Sequence, residues 1–335
     1  MSDNKIRFGI LGCGMIANFH ADAIASLRNA ELIGVADAAQ KFAMRFAESR
    51  NVKAYASYEA MLADPQIDAV CICTPSGFHG ENALQALKAQ KHVVLEKPMA
   101  LSKQQAWELD AEAKKSDKVL TVISQLRFSK DIRRVKALLD QNAFGKLVLC
   151  DVYMKYWRDP EYYASSNWKG TRRFDGGGAL MNQGIHGVDI LLYLAGNAKV
   201  LCAKNLTRFH KIEVEDCAVA MLEFESGAMG VIEGTTCSNP GFDRRIEITG
   251  TEGSVVIVEE QIEKLIIGGE VLVDGTKEFS MESAASDPSA MDYKPHAMQI
   301  ANFIAAIHGE EELAVTTKEG AMAVSLIEDI YNFGK

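Results

Sequence analysis

Residues 6–20 read IRFGILGCGMIANFH: a short apolar run, a glycine turn, and at once a helical pattern. The turn is Gly12-Cys13-Gly14-Met15-Ile16-Ala17, which matches G-x-G-x-x-G/A between a strand and a helix. Its first glycine permits a tight turn, and its second lets the backbone approach a pyrophosphate. The small Ala17 allows helix and strand to pack closely. A helix N-terminus also offers free N–H groups and a favourable dipole to phosphates. Asp37 ends the next strand-like segment, at the spacing where an acidic residue takes the ribose hydroxyls of NAD. The plain alternative is an ordinary βα turn with a surface aspartate. Ala38 and Ala39 follow, with no adjacent Arg or Ser for a 2′-phosphate. That favours NAD, while Lys41 and Arg45 keep NADP open.

Outward from the turn, strand-like segments 6–11, 31–36, 68–73, 92–96 and 118–123 alternate with helical patterns at 15–28, 38–49, 79–90 and 102–116. Residues 55–65 read as one further short helix. The alternation predicts an α/β Rossmann domain over residues 1–124, a doubly wound parallel sheet with helices on both faces. Two more loops leave the carboxyl ends of strands, where open α/β sheets bind ligands. One is Thr74-Pro75-Ser76, leading to His79; the other is Glu96-Lys97-Pro98. Gln125, just past the last strand, completes the cofactor-side candidates. Alone, Lys97 reads as a surface lysine before a helix. Three loops at one sheet edge favour a crevice.

The second half changes pattern. A helical segment at 129–141 precedes a long strand at 146–157 and a loop rich in aromatic and cationic residues, among them Tyr156, Trp168 and Arg172. Such a set suits a sugar bearing an anionic group, or equally a lid packed on its own aromatics. Strand-like runs at 199–209, 216–224, 228–235, 244–249 and 254–258 then predominate, followed by a loop at 282–295 and helices at 296–308 and 318–332. Residues 125–335 therefore read as an α+β domain with a large open, mainly antiparallel sheet. Within it, GGGALMNQGIH (176–186) opens a helix expected over 179–195. Asn182, His186 and Asp189 share one face by helical spacing, either a stripe facing water or half of an active site.

A formal charge of −9 argues against nucleic acid or an anionic membrane surface as partner. No run approaches the ~20 apolar residues of a membrane span. The N-terminus lacks a signal pattern, so a cytoplasmic protein is expected. Seven scattered cysteines read as small core residues in a reducing compartment, and no metal site is expected.

The glycine turn, Cys73-Thr74-Pro75 through His79, Glu96-Lys97-Pro98, and GGGALMNQGIHGVD at 176–189 stand in the order seen in the Gfo/Idh/MocA oxidoreductases. The chain resembles that family over nearly its whole length. The resemblance implies an NAD(P)-dependent oxidoreductase that moves hydride between nicotinamide and a sugar-like secondary alcohol, the two meeting between the domains. It implies Lys97 beside the nicotinamide and the reacting hydroxyl, His186 as proton acceptor, and a homodimer or homotetramer through the C-terminal sheet. Inositol dehydrogenase-like members carry Asp four residues before the histidine, whereas this chain has Asn182. Its LMNQGIH is similar to that of members acting on sugar nucleotides such as UDP-N-acetylhexosaminuronates. An amide cannot serve as a carboxylate base, so base duty falls on His186 or Lys97 and Asn182 orients. The substrate-side candidates are thus Lys97, Tyr156, Trp168, Arg172, Asn182 and His186. Two rival readings are a non-catalytic dinucleotide sensor and an NAD-dependent glycosidase of similar fold.

Overall fold

A computed structural model of the chain describes residues 5–275 and 292–334. It divides into two units, Met1–Gln125 with Asp292–Ala321, and Leu126–Met291 with Met322–Lys335.

In the first unit, strands β1 (Ile6–Leu11), β2 (Ala30–Ala36), β3 (Lys53–Ala54), β4 (Ala69–Ile72), β5 (His92–Leu95) and β6 (Leu120–Val122) form a six-stranded sheet. Its order is β3-β2-β1-β4-β5-β6, and every pair is parallel. Helices α1 (Met15–Ser26), α2 (Gln40–Arg50), α3 (Tyr58–Leu62), α4 (His79–Lys88) and α5 (Lys103–Lys115) connect the strands. All four residues of β4 are buried, which is why AVCI is a continuous apolar run rather than an alternating one. Cys71 is fully buried and Cys73 nearly so, as small core residues. Ser57 and Ser102 start α3 and α5 by accepting the N–H groups of Ala60 and Gln105. The strand order reverses at β1, between β2 and β4. The glycine turn after β1 and the Thr74 loop after β4 therefore leave the sheet at its switch point, where such sheets bind ligands.

The second unit holds α6 (Lys130–Asp140), β7 (Leu147–Lys155), α7 (Pro160–Ala164), a π-helical turn (Ala179–Gly184) and α8 (Ile185–Ala195). Strands β8 (Ala198–Leu206), β9 (Cys217–Phe224), β10 (Met229–Thr235), β11 (Arg245–Gly250), β12 (Gly253–Val258), β13 (Gln261–Ile267) and β14 (Glu270–Asp274) follow. They form a sheet of order β14-β13-β12-β11-β7-β10-β9-β8, antiparallel except for the β7–β10 pair. The β13–β14 hairpin goes beyond the strands expected from sequence; Gly268 and Gly269 between them take positive φ at its turn. Helix α8 packs on β7. Strand β9 alternates buried and exposed residues, so one face of the sheet is covered and the other is open.

Two helices close the chain, α9 (Lys294–Ile307) and α10 (Thr317–Asn332). Here the structure departs from a simple boundary at residue 124, because residues 292–321 group with the Rossmann sheet. Ile300, Phe303 and Ile304 of α9 enter the core formed by Phe8, Ile10 and Ile24, with the rings of Phe8 and Phe303 6.3 Å apart. An amphipathic pattern shows that a helix must bury one face, not which sheet receives it. Of the loop expected at 282–295, residues 282–291 lie outside the described residues.

Candidate functional site

In the first unit, Gly12 has φ +91°, and a Cβ there would stand 2.6 Å from the Cys73 carbonyl oxygen, so only glycine closes the turn. Gly14 is different: a Cβ would meet nothing within 4 Å. Among the described residues no packing requires that glycine, and the open space lies at the start of α1, which has no side-chain cap. Met15 is exposed, Ile16 half-buried and Ala17 fully buried. Asp37 is held beside the turn, its Oδ2 accepting the Cys13 N–H and its Oδ1 the Ala39 N–H, both at 2.8 Å. Each oxygen keeps acceptor capacity for a hydroxyl. Gln125 Oε1 is buried with no partner among the described residues, an acceptor suited to an amide N–H. Backbone donors, a fixed acidic acceptor and an unmatched amide oxygen fit NAD. Asp37→Ala is expected to weaken NADH binding about 10-fold, the loss of a hydrogen bond to a charged group. A fluorescence titration with unchanged affinity would remove Asp37 from the cofactor site.

Thr74, Pro75 and Ser76 form the loop after β4, with Ser76 buried. Two neighbours expected at the cofactor turn inward. His79 is 1% exposed, and its ring bridges the Pro98 carbonyl (Nδ1, 2.7 Å) and the Thr74 carbonyl (Nε2, 2.8 Å). It ties the two loops together, while burial pushes its imidazole down against those two acceptors. The Glu96 carboxylate is also interior, with Oε1 2.8 Å from His20 Nε2 and Oε2 accepting the Lys97 N–H at 3.2 Å. Lys97 itself is half-buried.

In the second unit, close packing requires glycine at positions 177 and 178. A Cβ at Gly178 would stand 2.0 Å from the Glu215 carbonyl oxygen. The Glu215 carboxylate accepts the N–H groups of Gly178 (2.9 Å) and Leu180 (2.8 Å), occupying the helix start. The Tyr331 hydroxyl donates to Glu215 Oε1 (2.6 Å) and accepts the Met181 N–H (3.1 Å). Burial pushes the Glu215 carboxyl up, opposed by these donors. No local pattern in the sequence marks Glu215 or Tyr331.

The first turn of the expected helix is π rather than α, with Gln183 N–H donating to Gly178 O at 3.1 Å. Such turns recur at functional sites. Within it, Asn182 Nδ2 donates to Asp175 Oδ1 at 2.6 Å; Asp175 is fully buried and also accepts the Gly170 N–H. A carboxylate at position 182 would face a second carboxylate at that distance, an arrangement that forces one to stay protonated. The amide avoids it. The polar stripe also divides. Asn182 and His186 are half-buried, whereas Asp189 is buried against Arg127.

The aromatic loop packs on itself and on Phe209 and His210. Tyr162 and Tyr163 meet edge-on at 5.1 Å, and Tyr163 lies 4.7 Å from the His210 ring. Tyr156, expected at the substrate, is 6% exposed, and burial pushes its phenol up to about 12 beside Arg244. Arg172 is exposed, with its Nε on the Glu213 carbonyl; Trp168 is half-buried. Gln183, not singled out by sequence, links the π turn to the loop. It accepts from Arg158 Nε (2.9 Å) and donates to the Tyr162 hydroxyl (2.8 Å). Among the described residues two groups of metal-ligating side chains converge, His20–Glu96–His296 and His210–Asp216–Cys237. In the second, the Asp216 carboxylate already accepts the N–H groups of Arg208, Phe209 and His210.

A parallel sheet with a glycine turn and a fixed acidic acceptor at its switch point defines a dinucleotide-binding Rossmann protein. Residues 6–124 match the model of the oxidoreductase family with an NAD-binding Rossmann fold, and residues 132–256 the GFO/IDH/MocA C-terminal domain. The chain belongs to the Gfo/Idh/MocA family and is an NAD-binding oxidoreductase. It is 30% identical to the WlbA dehydrogenase of Bordetella pertussis, solved with NADH and UDP-GlcNAcA, over 98% of this chain and 95% of that one (TM-score 0.86). It is 26% identical to myo-inositol 2-dehydrogenase of Thermotoga maritima, over 96% of this chain and 94% of the relative. It is 29% identical to scyllo-inositol 2-dehydrogenase (NAD(+)) of Bacillus subtilis, over 76% and 74%. Among the described residues no helix is long and apolar enough to cross a membrane.

Proposed function

We propose that the protein oxidises a secondary alcohol of a nucleotide-linked uronate sugar with NAD. The observation that carries this reading is the likeness, along 98% of the chain, to a dehydrogenase solved with NADH and UDP-GlcNAcA. When bound, NAD supplies the hydride acceptor. His186 takes the hydroxyl proton, the general-base task for which an imidazole is chemically suited. Lys97 donates to the substrate oxygen and stabilises the developing alkoxide. Asn182, anchored on Asp175, orients by hydrogen bonds and takes no proton. NADH formation across UDP-uronates, free uronates, sugars and inositols tests the reading. Turnover confined to small polyols overturns it in favour of an inositol dehydrogenase.

Self-association of the open sheet face completes the proposal. Leu149, Met221 and Met229 are each 44–46% exposed, and Met229 pairs with Leu149 across the β7–β10 register while Val231 pairs with Met221. A contiguous apolar patch of this kind marks an interface, here with a second copy of the chain in a dimer or tetramer. Sedimentation is expected to show an oligomer that Met221→Glu shifts toward monomer; a monomeric wild type at micromolar concentration removes this part. A cytoplasmic location is supported by seven free cysteines, three of them buried thiols.

A further inference from the structure

The carboxylate next to Lys97 sits in a buried cluster that dinucleotide binding does not account for. Glu96 is 5% exposed, His20 0% and His296 1%. His20 Nε2 lies 2.8 Å from Glu96 Oε1, and His296 Nε2 lies 3.7 Å from the same oxygen. The two imidazoles meet edge-on, with centroids 5.4 Å apart. The other carboxylate oxygen, Oε2, accepts the Lys97 backbone N–H at 3.2 Å. One residue further on, the Pro98 carbonyl lies 2.7 Å from His79 Nδ1. Helices α1, α4 and α9 thus each supply one histidine to the Glu96–Pro98 loop.

A lone buried carboxylate is costly and tends to neutralise. Burial does push the Glu96 carboxyl up, but the hydrogen bond to His20 and the nearby His296 imidazole hold it well below the usual range. As a carboxylate, Oε2 is a strong acceptor for the Lys97 N–H. A bound metal is a poorer account of the cluster. Ligands at ~2.0–2.1 Å around a tetrahedral zinc stand about 3.3 Å apart, whereas His20 and Glu96 are at hydrogen-bond distance. Metal-bound histidines also almost always donate their second N–H, yet His20 Nδ1 and His296 Nδ1 have no partner among the described residues.

We propose that His20, His296 and Glu96 form a clamp that positions Lys97: the imidazoles fix the Glu96 carboxylate, and its Oε2 holds the lysine backbone while His79 holds Pro98. The clamp rests on the role of Lys97 stated above. It gives α9 a task beyond packing, since a helix encoded after the whole second sheet supplies a group to the clamp on a lysine two residues past β5.

The test compares His20→Ala and His296→Ala with His20→Gln and His296→Gln, in which the amide nitrogen replaces Nε2. Two readouts are followed. One is kcat and KM for NAD with UDP-N-acetylglucosaminuronate as the alcohol. The other is the 13C resonance of dimethylated Lys97, assigned by its loss in Lys97→Arg. The alanine variants are expected to lose about 10–100-fold in kcat, as for a displaced catalytic group, with KM for NAD little changed. Their Lys97 resonance shifts, and the glutamine variants recover both rate and resonance. Alanine variants at wild-type rate, beside an inactive Lys97→Ala, overturn the clamp and leave the role of Lys97 standing. An active Lys97→Ala overturns both. Glutamine variants as impaired as alanine ones, with equal losses of melting temperature, reduce the cluster to packing. Stoichiometric zinc binding that His296→Gln abolishes makes it a metal site instead. Where an alanine variant does not fold, the glutamine pair decides, and a displaced Lys97 resonance there overturns the proposal.

Discussion

Lys97→Ala and His186→Ala are each expected to lower turnover by at least ~100-fold, the lower end for groups that move or stabilise a proton in the transition state. The two losses have different signatures. Lys97 acts on charge that develops only as the alkoxide forms, so its removal lowers kcat while NADH affinity, set around Gly14 and Asp37, changes little. Lys97→Arg does not restore activity, because a planar guanidinium on a longer stem cannot deliver a compact ammonium to one oxygen. His186→Ala removes a proton acceptor, and added imidazole recovers part of the rate. Asn182 offers no substitute, since its amide is committed to Asp175 and cannot accept a proton. NADH formation at saturating alcohol, with NADH affinity measured separately, checks both. Near wild-type turnover in either variant removes that residue from the chemistry.

Asp189→Ala is expected to cost about 3–5 kcal/mol of stability, the range for breaking one side of a buried ion pair. The Asp189 carboxylate is bidentate on Arg127, with Nε–Oδ2 at 2.8 Å and Nη2–Oδ1 at 2.6 Å. The two side chains are 5% and 6% exposed. Arg127 also lies over the Tyr193 ring, 4.6 Å from its centroid, so it cannot swing out to water without giving up that contact. The loss comes mainly from the stranded guanidinium rather than from the missing attraction. Replacing both partners, as Arg127→Met with Asp189→Leu, is therefore expected to restore most of the stability. Urea unfolding of the two single variants and the double variant measures the difference. A loss under about 1 kcal/mol for Asp189→Ala contradicts the buried-pair account. Because Asp189 lies three residues after His186 on α8, that variant should also turn over more slowly, through a loosened helix.

The legible part of the molecule is the part written in short-range patterns. The alternation of five strands with helices, the glycine turn and Asp37 are each decided within a few residues, by side-chain shape, backbone φ and apolar spacing, whereas the two-residue β3 is too short to show in them. The structure supplied physical reasons at single positions. Gly12 is required by its positive φ and the Cys73 carbonyl, whereas Gly14 faces open space. In the second half, strand pattern foretold a mainly antiparallel sheet, yet the helix over 179–195 began as a π turn. Helical spacing assumed a regular 3.6-residue period that Glu215, Tyr331 and Asp175 override.

Local patterns therefore suffice for a Rossmann half, an NAD-type glycine turn and a short set of polar candidates. It took the packing of the folded chain to place α9 on the first sheet and to turn Glu96 and His79 inward. The same packing decided that an amide, not a carboxylate, belongs beside Asp175. The reason is separation along the chain. His20, Glu96 and His296 come from three distant segments, and Glu215 meets Tyr331 across more than a hundred residues. A buried polar group takes its charge and its task from whatever partner the fold brings to it, and no local period encodes that partner.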